Sequence, residues 1–102
     1  MFGNWLKRRQ AAQRRLTPDA VCTLVETFLA GWSPYRERFP HSGAVMVEWS
    51  MDAQGHGRWV ATVTPAIDVQ CGLVVADDIG QVTEAQITAM RQGSVLARWT
   101  RS

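Results

Sequence analysis

Cysteine is scarce in this chain of 102 residues; only Cys22 and Cys71 occur, far apart in sequence. Two thiols cannot make the disulfide framework that holds small secreted domains together, and their separation fits neither a zinc knuckle nor a redox pair. Each sits in an apolar stretch, so both are expected to be buried, reduced, small hydrophobes. Long apolar runs are missing too. Nothing approaches the ~18–20 residues that a helix needs to cross a bilayer. Gln10-Ala11-Ala12-Gln13 stands where a secretory signal would carry its apolar segment, and the expected compartment is the cytoplasm. There is no strand-to-helix glycine loop for phosphate, no zinc spacing, no serine elbow and no kinase signature. Gly55-His56-Gly57 reads instead as a hairpin tip, and no cofactor or metal is expected.

What is present is the composition of one globular domain. The chain has room for a single modest core, and its 46% hydrophobic and 20% charged residues are those of a folded protein, not a disordered one. Charge is unevenly placed. Residues 1–15 carry Lys7, Arg8, Arg9, Arg14 and Arg15 and no acid, leaving six basic and nine acidic residues for the rest. The sequence therefore divides into a basic arm, 1–16, and an α+β domain, 17–102.

Thr17-Pro18-Asp19 is a helix start. Threonine can cap with its hydroxyl, proline suits the first position where no N–H is needed, and aspartate favours the positive end of the dipole. Val21, Leu24, Val25, Phe28 and Leu29 then fall on one helical face, and Gly31 with Ser33-Pro34 ends it, so the spacing predicts a helix over 18–30. Residues 33–43, with two prolines and no period, read as a loop pinned by Tyr35 and Phe39.

Three alternating stretches follow. Val45, Val47, Trp49 and Met51 share one face of the first; Trp59, Ala61 and Val63 share one face of the second. In the third the apolar series is Ile67, Val69, Cys71, Leu73 and Val75. Period 2 with one apolar face is the pattern of a half-buried antiparallel sheet. Both apolar sets of the first hairpin are odd-numbered, so opposed positions must have an even sum and the loop an odd length. A three-residue loop within 53–57, with a glycine in the left-handed position, satisfies this and brings Trp49 to Trp59. Asp77-Asp78-Ile79-Gly80 reads as a solvated turn. Thr83-Glu84-Ala85-Gln86 has capping-box spacing, which predicts a short helix over 84–92; alternation over 81–90 offers a fourth strand instead. Residues 94–100 read as a terminal strand with Val95, Ala97 and Trp99 on one face. The fold class is thus α+β in two layers, one amphipathic helix on an antiparallel sheet of three to four strands, in the order α-β-β-β-α-β.

That order resembles the element order of double-stranded RNA-binding domains and of type III secretion chaperones. The first resemblance implies a lysine cluster on the second helix, but residues 84–92 hold a single basic residue, Arg91. The second implies a more acidic and longer chain. Element order alone carries no function.

Chemistry-bearing residues are few. His56 near Asp52 is the closest approach to an acid–base pair, and turn chemistry explains it without catalysis. His41 lies in the proline-bounded loop. The five tryptophans are expected to fill the core at Trp32, Trp49 and Trp59, leaving Trp5 and Trp99 as candidates for exposure and interface contact. The basic arm suits a protein partner, a nucleic-acid backbone or, least favoured, a peripheral contact with an anionic membrane. The leading expectation is a non-enzymatic protein–protein interaction module or small adaptor. It would be homodimeric through an edge strand at 44–52 or 94–100, with Trp5, Lys7, Arg8, Arg9, Arg14, Arg15 and Trp99 as partner-binding candidates. The alternative is a nucleic-acid-binding accessory protein using residues 7–15. Third comes a small-ligand-binding protein or enzyme with a pocket between helix and sheet.

Overall fold

A computed structural model describes residues 14–40 and 43–101, and all structural statements concern these. Trp5, Lys7, Arg8, Arg9 and His41 lie outside them.

The first helix, α1 (Pro18–Gly31), begins as its sequence implies: the Thr17 side chain accepts a hydrogen bond from the Ala20 N–H at 3.1 Å, and Pro18 occupies the first turn. Val21, Val25 and Leu29 are its buried stripe. The following segment, read as loop, contains a short helix, α2 (Ser33–Arg38). Pro34 stands in its first turn, where the missing N–H costs nothing. Tyr35 is buried and its ring lies 5.2 Å from that of Phe39, so these two residues do pin the segment to the body.

Five strands follow: β1 (Val45–Met51), β2 (Gly57–Ala66), β3 (Val69–Ala76), β4 (Gln81–Ala89) and β5 (Ser94–Thr100). They form one antiparallel sheet in sequence order. The expected three to four strands are therefore five, and the element order departs from both families named above. The segment 84–92 is not a helix; it belongs to β4 and the turn after it. The alternating reading of 81–90 prevails because Val82, Ala85 and Ile87 are buried against the core, a tertiary gain that outweighs a local capping pattern.

The first hairpin has the parity required of it. Trp49 lies directly opposite Trp59, and their rings meet edge to face at 5.2 Å. Asp52 N–H donates to the His56 carbonyl, closing a three-residue loop in which Gly55 takes φ 83°. Gly57 is demanded by packing, since a Cβ there would stand 2.2 Å from the Trp49 ring.

Trp59, Ala61, Val63, Cys71, Leu73 and Val75 face inward with Val82, Ala85 and Ile87, beneath the α1 stripe. Two expectations fail at strand ends. Ile67 does not continue the inner series but sits 89% exposed in the β2–β3 turn, where the register also slips between Val63 and Ala66. Pro65 occupies that irregularity, the place in a sheet where an absent N–H is tolerated. Val95 does not share a face with Ala97 and Trp99. It pairs with Thr88 while Ala97 pairs with Ile87, so Leu96 is an extra residue that turns Val95 outward.

Candidate interaction surfaces

The described part of the arm, residues 14–16, is fastened to the sheet by one carboxylate. Asp77 follows the inward series Cys71, Leu73, Val75 and is 3% exposed, not the solvated turn residue expected from composition. Its Oδ2 accepts from the Arg15 N–H at 2.7 Å; its Oδ1 accepts from the Leu16 N–H and from Trp59 Nε1, both at 3.0 Å. Burial alone would push the pKa of this carboxyl up. The three donors favour the ionised form and hold it below the ordinary carboxylate value. Two charged side chains complete the attachment. The Arg15 guanidinium donates to the Asp78 carbonyl at 2.8 Å, and that of Arg14 lies over the Trp49 ring, 5.0 Å from its centroid. Arg14 and Arg15 are both exposed, but each is held against the end of the sheet near the β1–β2 and β3–β4 turns.

Trp99 is half-buried. It packs on Phe28 with ring centroids 4.7 Å apart, and Phe28 in turn meets Trp32 at 5.5 Å. This seam ties β5 to α1. The exposed Trp99 that the sequence suggested is therefore replaced by one whose contact is intramolecular.

Among the described residues, no helix lies on the outer face of the sheet. Its central rows run Glu48, Val60, Val74, Glu84, Thr100 and Met46, Thr62, Gly72, Gln86, Arg98 across the strands. Around Gly72 lies an open depression of about 450 Å³, bordered by Val60, Val74, Glu84, Gln86 and Arg98. Tryptophan is absent from these rows: Trp49, Trp59 and Trp99 belong to the inner face. The sheet has two edges, β1 and β5. Met46 on β1 is 72% exposed and Val95 on β5 is 54% exposed.

Asp52 Oδ1 accepts from the N–H groups of Gln54 and His56, shaping the hairpin tip, and His56 Nδ1 lies 3.4 Å from Asp52 Oδ2 at an exposed site. Those backbone bonds lower the Asp52 pKa. The Cys71 thiol is pushed up to about 11 by burial, which keeps it protonated and inert. Cys22 is only half-buried, more open than expected. The Tyr35 hydroxyl is buried with no hydrogen-bond partner among the described residues, and burial raises its pKa. Among the described residues, no group of three or more His, Cys, Asp or Glu is placed to hold a metal ion, and no helix is long and apolar enough to cross a membrane.

Asp77 is the residue that sequence reasoning missed, although two signals were present. Odd parity already pointed inward from 71 to 75, and a buried Trp59 needs an acceptor for its indole N–H. Compared with known protein families, curated proteins and solved structures, the chain matches none.

Proposed function

We propose that this chain is a non-enzymatic protein-interaction module that acts as a homodimer. The observation that carries the reading is a five-stranded sheet that, among the described residues, is covered by helix on one face only and has two unpaired edges. A bare face and open strands are surfaces that proteins commonly cover with a partner. The histidine–aspartate contact at the hairpin tip is already occupied in shaping a turn. Light scattering after gel filtration tests the homodimer, and a capture experiment from the native cell with the full chain tests for further partners. A monomer that captures nothing removes the reading.

The rival reading is a nucleic-acid accessory protein working through residues 7–15. It is favoured by the five positive charges of the arm, and five phosphate contacts would give binding that weakens steeply with salt. The inward placement of the sheet tryptophans speaks against base stacking on the open face. Titration of labelled DNA and RNA at two salt concentrations decides it, because absence of low-salt binding excludes this use of the arm.

A further inference from the structure

The geometry points to β1 as the seam of the homodimer, paired antiparallel with β1 of a second copy about a two-fold axis at Val47. The inference rests on the homodimeric reading above and adds which surface makes it.

The two edges differ in regularity. The β1 ladder runs unbroken from Val45 opposite Val63 to Met51 opposite Gly57. On β5 the register shifts, with Leu96 inserted between Val95 and Ala97. A bulge bends an edge and disturbs its row of donors and acceptors, one of the ways by which natural sheets discourage further pairing. No such feature guards β1.

The backbone of β1 also specifies what fits there. Asp52 N–H donates to the His56 carbonyl at 3.0 Å, so these two residues form a hydrogen-bonded pair. Alternation then turns the even-numbered groups of β1 toward β2. The N–H and C=O groups of Val45, Val47, Trp49 and Met51 are left along the outer edge. A row of alternating donors and acceptors is complementary to another extended strand.

Register narrows the choice further. Opposed residues share a face, so their numbers must have an even sum. A pairing centred on Glu48 would set that carboxylate directly opposite itself, which like-charge repulsion disfavours. Centring on Val47 opposes Val47 to its own copy, Val45 to Trp49 and Met46 to Glu48. It joins the half-buried Val45, Val47 and Trp49 of both copies into one apolar inner surface and forms about six backbone hydrogen bonds among them. Closure selects a second β1 as the occupant. Pairing β1 with β5 would be head-to-tail and would propagate, whereas β1 with β1 ends at two copies.

The full chain is compared with Val47→Pro by light scattering and sedimentation, with circular dichroism and thermal unfolding as fold controls. The Val47 N–H points away from β2 and has no partner among the described residues, so proline at this edge should keep the fold and abolish the dimer. Val95→Lys with Leu96→Lys should stay dimeric. Under mild oxidation Val47→Cys should give a disulfide-linked dimer, because opposed Cα atoms in such a pair lie ~5.5 Å apart, within disulfide reach; Glu48→Cys should not. Should Val47→Pro fail to fold, the two cysteine variants decide alone. A wild-type monomer overturns the homodimer and the seam together. A dimer that survives Val47→Pro but is lost with the β5 lysines overturns only the seam. Cross-linking at Glu48→Cys and not at Val47→Cys overturns the register.

Discussion

Replacing Asp77 tests how the arm is joined to the domain. In Asp77→Asn the side-chain carbonyl can still accept from Leu16 and Trp59, but the new amide group faces the Arg15 N–H, donor against donor. A hydrogen bond to a charged acceptor contributes ~1.5–3 kcal/mol, and a buried donor left bare costs ~1–3 kcal/mol. One lost bond and weakening of the other two give an expected destabilisation of about 2–3 kcal/mol. For a domain of this size that is a fall in Tm of roughly 10–20 °C. Asp77→Ala leaves all three donors bare and should cost about 4 kcal/mol. The pH dependence has a definite sign. Since folding lowers the Asp77 pKa, its contribution is complete above the unfolded value, ~3.9, and is lost as pH falls through the folded one. The asparagine variant should therefore lack that part of the acid limb. Thermal unfolding by circular dichroism from pH 3 to 7 measures both effects, and trypsin cleavage at Arg14 and Arg15 should be faster in the variant. A variant within ~0.5 kcal/mol of wild type, with the same acid limb and the same cleavage rate, would refute the assignment of Asp77 as the tether.

Gly57→Ala forces a methyl group into the Trp49 ring, and overpacking of this kind costs about 1–3 kcal/mol; denaturant unfolding gives the loss, and a changed near-ultraviolet dichroism reports the displaced indole. Leu29→Ala, in the fully buried stripe of α1, should destabilise by about 2–5 kcal/mol in the same assay. Alkylation at pH 8 should modify Cys22 well before Cys71, whose thiol has a pKa of about 11 and is buried; equal rates in the folded protein would contradict the packing of β3. Deleting Leu96 removes the β5 bulge and should leave a folded domain with larger assemblies on gel filtration, because both edges would then be regular.

Helix α1, the first hairpin and the inner faces of 45–63 and 69–75 were legible because periodicity within each is uninterrupted. Every residue between Trp59 and Val63 obeys one parity, so a reader needs no tertiary information. Legibility failed where an extra residue breaks the count. In β4 the inward series is Val82, Ala85, Ile87, with Thr83 inserted where the register shifts against β3. An even-to-odd change within four residues leaves neither a clean strand pattern nor a clean helix, and the capping-box spacing beginning at Thr83 then looks decisive. In β5 the same kind of insertion at Leu96 made Val95 read as core. The interaction surfaces were less legible still. Trp99 could not be told from an exposed aromatic without knowing that Phe28 stands over it, and the tether at Asp77 joins residues 61 and 62 positions apart, beyond the reach of any local pattern.

The insertion that turned Val95 outward in β5, a strand otherwise legible in the sequence, bears on the inferred pairing. A meander of five strands presents its first and last members as edges, and nothing in the topology distinguishes them. What distinguishes them is register: β1 keeps a continuous ladder to its neighbour, while β5 carries an additional residue that rotates Val95 away from the core and offsets the backbone groups beyond it. Asymmetry of this sort has a physical consequence for assembly. With two equivalent open edges, each copy could add to the next without limit; with one edge bulged, the regular edge is left to pair with its own symmetry mate, and a two-fold arrangement terminates. The charge of Glu48 acts on a separate choice, the register of that pair, since it disfavours the alignment in which it would meet itself. In the inferred dimer, irregularity in β5 would thus leave β1 as the regular edge, and one carboxylate on β1 would choose among its alignments.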